Sequence, residues 1–442
     1  MEFIVSNATK AELGILSKCQ AMSFFRLINE TYTKGGSKFL EALLENPLTS
    51  PTQINQRVAL FKFLRQKGYS FPFQDGRVTI FNEWLEKKEQ NAKLGFFNAL
   101  LNGMLFTATS EKQEAQKELN AINAGLDILS GLRHFLSTFL TDSAALELGD
   151  FQARAQATLH FLQQKEIRKI LSTQQQKSTG VSTPKISYIL KKRYAPEIRA
   201  TLQLIYELDA LCAISQVSKR EGFGYAVLLQ QKSTQITIEG LWNPSIKEAI
   251  KNDFSFNNTQ HTFFLTGANM SGKSRLVQAL GLSVYLAHCG FPVPADKMSF
   301  TLMDGLYAST NVGDDTSKGH SHFYSEINRL KQMATLVASG KRIFVLFDDL
   351  FQGTNADSEY AGPLEFTRAL GGYKQSIFII ATQIVEVGQA LKDDNFIQFG
   401  YLPSFNDKGK NQYTYSLKPG VSQEHHALDL LEKEGIWDLL RD

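Results

Sequence analysis

The sequence predicts a multidomain α and α/β chain. Packed helices run to about residue 225, and an α/β region on a mostly parallel sheet follows. Three observations predict it. Apolar residues in the first half recur at steps of three and four. Short apolar runs in the second half alternate with helical patterns. One such run, "FFLTGANMSGKSRLVQAL" from Phe263 to Leu280, has the order strand, glycine-bearing loop, helix. At 442 residues the chain has room for two or three domains and ample core.

In the first half, "GSKFLEALLENPLTSPTQINQRVALFKFLRQKG" predicts a helix to about Glu45, a turn at Pro47 and Pro51, and a second helix from about Pro51. Leu119, Ile122, Leu126, Leu129, Leu132, Leu136 and Phe139 form a stripe with near-heptad spacing, expected to face other helices. From Gln163 to Ser187 the chain is polar, and "STQQQKSTGVSTPK" reads as an exposed loop. Lys165 to Arg199 carries nine basic residues against Glu166 and Glu197, with Lys185, Lys191, Lys192 and Arg193 at its centre. That stretch reads equally well as a phosphate-contacting patch or as the solvated end of a helical hairpin. A helix resumes from Pro196.

The second half predicts strands at Thr234–Ile238, His261–Thr266, Ser299–Met303, Arg342–Phe347, Ser376–Ala381, Phe396–Gly400 and Gln412–Leu417. After the second of these comes G-x-x-x-x-G-K-S, Gly267 to Ser274. Its two glycines let a loop wrap closely, so that N–H groups of Ala268, Asn269, Met270, Ser271 and Gly272 can face phosphate oxygens. Lys273 would reach the β- and γ-phosphates of ATP, and the Ser274 hydroxyl would ligate Mg²⁺. Leu276, Val277, Leu280 and Val284 share one helical face, and Gly290, Pro292 and Pro294 stop the helix. The helix N-terminus adds its dipole to the same anion.

A second acidic site is expected at the end of another buried strand, and "KRIFVLFDDL" supplies it. Asp348 would hold Mg²⁺ through water, and Asp349 would orient or deprotonate the attacking water. Between these motifs, "STNVGDDTSKGHSHFYSEINRL" has too many small and polar groups for a core element. A serine at a helix N-terminus, such as Ser321, can serve the phosphate of another subunit, which would make the site composite across a homodimer.

The formal charge of +3 is nearly neutral and neither demands nor excludes nucleic acid. Cys19, Cys212 and Cys289 are odd in number and far apart, so no disulfide framework or metal cluster is expected, in keeping with a cytoplasmic location. The N-terminus lacks a signal-peptide pattern, and no apolar run approaches the roughly 20 residues of a membrane span.

"TGANMSGKS", "VPAD", "NVGDDTSKGHSHFYSEI", "VLFDDLFQGTNADSEYAG" and "FIIATQ" stand in an order and spacing that resemble the MutS family of DNA mismatch repair ATPases. "GSKFLEALLENPL" with "INQRVALFKFL" resembles the start of that family's helical core, and "GLWNPSI" the opening of its ATPase domain. The resemblance is strong from about 235 to 420 and looser before. It implies a helical core and lever domain over 1–225, a P-loop ABC-type ATPase domain over 226–420, and a helical dimerisation segment over 421–442. It implies ATP and Mg²⁺ at Gly267, Asn269, Gly272, Lys273, Ser274 and Asp348. Ser321, with Gly319, would act in trans on the partner's γ-phosphate, and Thr354 and Asn355 would face the opposite subunit. DNA would be the load.

Departures from the family pattern qualify this. Asp349 stands where the family usually has glutamate, and Gln383 where it usually has histidine. Gln383 can hydrogen-bond a phosphate or water but cannot carry a proton at neutral pH. Arg275 replaces a threonine, and His320 and His322 flank Ser321. The core-like segment begins near Gly35, leaving no room for the family's mismatch-reading and connector domains, and the clamp is shortened to Lys165–Arg199. "FNE", Phe81 to Glu83, matches the letters of a mismatch wedge but falls within the helical core. The reading is therefore an ATPase that binds DNA by structure rather than by mismatch. The alternative is an ATP-switched dimeric scaffold for proteins, without direct DNA contact.

Overall fold

The computed structural model describes residues 2–16, 23–73, 76–87, 109–144, 146–173, 183–309, 322–351, 356–407 and 410–422. The chain divides into two compact units. One comprises Met1–Ile28, Leu43–Val58 and Ser218–Asp442, and the other Asn29–Ala42 and Ala59–Val217.

The first unit holds two larger sheets and a hairpin. The strands are β1 (Gly224–Leu228), β2 (Gln235–Leu241), β3 (Asn252–Asn257), β4 (Thr262–Gly267), β5 (Pro292–Val293), β6 (Lys297–Phe300), β7 (Gly305–Ser309), β8 (Ile343–Asp348), β9 (Ile377–Thr382), β10 (Ile397–Leu402), β11 (Ser404–Asp407), β12 (Lys410–Tyr413) and β13 (Lys418–Pro419). One sheet is mixed, in the order β3-β2-β6-β1-β5. The other runs β13-β10-β4-β9-β8-β7, parallel from β10 to β7, with β13 antiparallel at one edge. β4, β7 and β9 are buried at every residue, and β4 and β9 accordingly read as apolar runs in the sequence. β2 and β3 alternate instead, and β1, β3 and β7 escaped the sequence pattern altogether. The strand expected at Ser299–Met303 sits two residues earlier, and that expected at Gln412–Leu417 is the hairpin strand β12.

Successive residues of a strand face opposite sides of the sheet. Phe264, Val345, Phe347, Phe378 and Ile380 face one side, where Met333 and Val337 of helix His322–Ala338, Leu364 of helix Ala356–Ala369 and Val387 of helix Val385–Ala390 cover them. Leu346 faces the other, against Gly281 in the helix Lys273–His288. A β-carbon at Gly281 would lie 2.6 Å from Leu13, so helix, sheet and N-terminal segment meet at a point that only glycine allows. The N-terminal segments close the helix's remaining side. Tyr285 donates to the Leu44 carbonyl, and Arg57 donates to the Cys289 carbonyl at 2.7 Å. Ile4 pairs in parallel with Gly305 and covers the β7 edge.

His288 ends this helix wholly buried, 4.4 Å ring to ring from Phe3. Its Nδ1 lies 3.2 Å from the Leu48 carbonyl, to which it can only donate, and its Nε2 accepts from the Met303 N–H at 3.3 Å. One nitrogen donates and the other accepts, so the ring is neutral. Burial pushes its pKa down from 6.5 to about 4.

The second unit is helical. The stripe of helix Thr109–Asp142 is buried from Ile122 to Phe139, whereas Leu119, expected to share it, is 38% exposed. Phe139 packs edge-on against Phe63 at 5.3 Å and Phe151 at 5.5 Å. Phe81 is fully buried against Gly125 and so belongs to the core. The start of helix Lys34–Glu45 is fixed from far along the chain. The buried Asp209 carboxylate accepts from Tyr32 N–H (3.0 Å), Thr33 N–H (2.8 Å) and the Thr33 hydroxyl (2.6 Å), while Thr33 Oγ1 caps Gly36 N–H at 2.8 Å. Burial pushes the Asp209 pKa up and these hydrogen bonds pull it back.

Among the described residues no helix is long and apolar enough to cross a membrane, and no three or more His, Cys, Asp and Glu side chains gather as a metal-binding cluster.

Asp209→Ala leaves three donors, two of them buried, without an acceptor and should destabilise the helical unit by roughly 3 kcal/mol in urea unfolding. A loss within 0.5 kcal/mol would remove Asp209 from this role. His288 has a folded pKa below its unfolded value, so its contribution is present above pH 6.5 and lost as pH falls towards 4. Wild type should lose about 3 kcal/mol more over that window than His288→Gln, read from unfolding curves at matched pH. Parallel curves would contradict the buried neutral ring.

Candidate nucleotide site

Strand order and register assemble the site. β9 lies between β4 and β8, with Thr266 opposite Thr382 and Ala381 opposite Asp348. Gly267, Asp348 and Gln383 therefore emerge side by side at the carboxyl ends of three adjacent parallel strands, where open α/β sheets leave a crevice.

The loop after β4 turns through positive φ at Gly267 (154°), Met270 (68°) and Gly272 (99°). A β-carbon at Gly267 would stand 2.9 Å from Ser271 Oγ and 3.1 Å from the Leu402 carbonyl, and one at Gly272 3.0 Å from the Tyr415 ring. Both glycines are thus required by space as well as by dihedral angle. Gly272 caps the helix Lys273–His288 without a side-chain hydrogen bond, so no cap side chain competes for its first N–H groups. Met270 is non-glycine in the left-handed region, and its side chain is 82% exposed.

Lys273 is buried, and its Nζ turns back to donate to the carbonyls of Gly267 (2.9 Å) and Ala268 (3.1 Å). Burial lowers its pKa, while the carboxylates of Asp349 and Asp348 raise it. Asp348 is shifted upward, first by burial and further by Asp349, against the Ser274 hydrogen bond and the Lys273 charge. One carboxylate oxygen, Oδ1, is buried with no hydrogen-bond partner among the described residues, and so is the Ser271 hydroxyl. Such orphans are uncommon and unfavourable by about 1–3 kcal/mol each unless something external completes them.

Asp349 adopts φ 54°, which aspartate tolerates better than most residues. Its N–H donates to the Ala381 carbonyl at 2.8 Å, and its Oδ1 accepts the Gln383 N–H at 3.2 Å. The two departures from the family pattern are therefore bonded to each other. Arg275 is on the surface, where its guanidinium donates to Gln278 at 3.3 Å. Ser321, Gly319, His320, Thr354, Asn355 and all but the first two residues of the 421–442 segment lie outside the described residues, as does the His322 side chain.

In the helical unit the structure separates the basic residues singled out in the sequence. Lys185 is exposed on helix Thr183–Tyr188. Arg193 pairs with Glu166 at 2.8 Å. Lys191 lies 4.3 Å above the Trp84 ring, and with Lys192 it lines a groove.

Sequence reasoning missed a cavity of about 400 Å³ beside the loop, walled by Trp242, Ile250, Met270, Gly272, Leu402 and Tyr415. Its walls come from four separate segments. Asn252 ties two of them, donating to the Tyr415 carbonyl at 3.1 Å and accepting the Leu417 N–H at 2.6 Å. The only advance signal was the apolar character of "GLWNPSI" next to the strand.

Residues 263–438 match the family model MutS domain V. A DNA mismatch repair protein MutS of Lactobacillus johnsonii is 25% identical over 286 residues, 62% of this chain and 32% of that protein. One of Persephonella marina is 23% identical over 244 residues, 54% of this chain and 28% of that protein. One of Chlorobium chlorochromatii is 29% identical over 168 residues, 36% of this chain and 19% of that protein. The chain thus spans a third or less of each relative's length, and the domain V match takes in the loop, Asp348, Asp349 and Gln383. Its motifs and these matches together support a MutS-family member, with MutS domain V over residues 263–438.

Proposed function

We propose that the first unit binds and hydrolyses ATP with Mg²⁺, and that the chain uses this cycle on DNA as a homodimer. One observation carries the reading: the buried, partnerless Oδ1 of Asp348 sits at the strand ends where the Gly267–Ser274 loop opens a helix, with Ser274 bonded to the same carboxylate. A divalent cation at Asp348 and Ser274 would complete that oxygen, and the chemistry it supplies is neutralisation of phosphate charge.

The loop N–H groups and the helix dipole would hold the phosphates. Lys273 would exchange its two carbonyl partners for phosphate oxygens, a stronger charge-assisted bond. The cavity at Tyr415 and Ile250 adjoins the loop and is apolar and roomy enough for the adenine ring. Asp349, held by the Gln383 N–H, would position the attacking water. Ser321 of a second copy would close the site, and the helical unit, Asn29–Ala42 and Ala59–Val217, would serve as core and levers that transmit closure to DNA read by its structure. The mismatch repair role carried in the relatives' names supports DNA as the load.

Lys273→Ala should weaken ATP binding at least about 100-fold by titration calorimetry, the loss of a charge-assisted pair. Undiminished affinity would remove the loop from the site. Asp349→Glu lengthens the carboxylate by one methylene and should raise ATP turnover by about tenfold, while strain at φ 54° lowers stability by about 1 kcal/mol. A turnover that falls instead would show that Asp349 is not the water-positioning group.

A further inference from the structure

The helical unit contains a groove of about 1080 Å³, larger than the cavity beside the loop. Six basic residues line it, Lys34, Lys38, Lys87, Lys191, Lys192 and Arg199, against the acids Glu83 and Glu86. They come from four stretches of sequence, so only folding gathers them. The +7 stretch noticed in the sequence contributes three of them, and helix Lys34–Glu45 adds two more.

Two features set this groove apart from an ordinary solvated basic face. Its floor is apolar, with Phe39, Leu190, Leu202 and Tyr206 among the lining residues, and both aromatic rings are half-buried. And its basic wall is built on a π-helical turn, Ile189–Arg193, closed by Tyr194 N–H to the Ile189 carbonyl at 3.0 Å. Such turns are unfavourable relative to α-helix and concentrate at functional sites. Here the extra residue sends Arg193 to Glu166, while Lys191 and Lys192 line the groove.

We infer that this groove binds single-stranded DNA, with phosphates at the basic rim and unpaired bases over the apolar floor. A duplex hides its base faces and presents a convex phosphate surface, so it would gain nothing from a concave apolar floor. Unpaired bases gain from it, and a cationic channel with aromatic groups at its base is the general solution for single strands. The inference rests on the proposal that the chain acts on DNA, and it names which DNA and where.

The test is fluorescence anisotropy of the full chain with a labelled oligothymidine and with a duplex of equal length, at several salt concentrations. The variant is Lys34→Glu, Lys38→Glu, Arg199→Glu combined. All three side chains are exposed, and an acid at the first residue of helix Lys34–Glu45 favours that helix, so the variant should fold. ATP affinity, measured in parallel, should be unchanged.

The expected result is preference for oligothymidine, lost by at least tenfold in the variant, with the salt slope reduced by about 2, three contacts at ~0.7 each. Oligothymidine binding that the variant leaves intact would overturn the groove but not the DNA reading. Binding of duplex in preference to single strand would overturn the assignment of unpaired bases. Competition by polyglutamate as effective as by oligothymidine would show a general polyanion site and overturn it too. No binding to either DNA would overturn the groove and the DNA reading together, with ATP affinity left to stand or fall separately.

Discussion

The burial of the helix Lys273–His288 beyond its exposed first turn is the constraint on which the site depends. A helix N-terminus can serve as a fixed anion site only if the helix cannot turn or slide. Here Leu346 of the sheet presses on it at Gly281, Leu13 presses beside the same glycine, and Tyr285, His288 and Cys289 tie its last turns to residues 44–57. The fixed end is then available to place Gly272, Lys273 and Ser274 at the strand ends. The N-terminal segments are therefore structural members of the nucleotide unit, although they lie more than 200 residues from the loop they support.

Two buried polar atoms without partners among the described residues lie at the edge where a ligand is expected, while others, such as Thr262 Oγ1 and Ser283 Oγ, lie elsewhere in the unit. The interior of this unit is close-packed and its strands are paired, yet Asp348 Oδ1 and Ser271 Oγ are left without partners and Lys273 makes do with two backbone carbonyls. Folding alone would favour apolar replacements at such positions. Their retention, together with the positive φ at Met270 and Asp349, is the pattern of a site that stores strain and completes its polar groups on binding.

What the sequence disclosed follows the range of the interactions involved. The loop, its helix and the acidic strand end were legible because each is written in contiguous residues: glycines at fixed offsets, apolar runs of five or six, a carboxylate after the last. β1, β3 and β7 were not. β3 is an alternating strand with polar residues at every second place, and β7 is short and partly polar in sequence though fully buried. The grip of Asp209 on Thr33 spans 176 residues and leaves no local pattern. The same holds for the cavity at Tyr415 and for the contribution of Lys34 and Lys38 to the basic groove. Ser321, Thr354 and Asn355 fall outside the described residues, so their in-trans roles stand on the family pattern alone.

Asp349 and Gln383, which differ from the family pattern separately in sequence, form one local unit in space. The Gln383 N–H bonds the Asp349 carboxylate, and the Asp349 N–H bonds the Ala381 carbonyl, so the residue is held across the β8–β9 junction from both its ends. A short side chain suits that clamp, because aspartate is at ease in the left-handed region and its carboxylate reaches back to the neighbouring backbone. A glutamate would carry its carboxylate past that N–H and out towards the loop. The shortened acid and the non-basic amide are thus compatible with each other: one is anchored by the backbone of the other, and the Gln383 side chain, on the surface, is left to donate or accept a hydrogen bond without carrying a proton. The bond uses the Gln383 backbone N–H, which any residue but proline supplies, so the Asp349 carboxylate and not the Gln383 amide is the side chain on which this local unit depends.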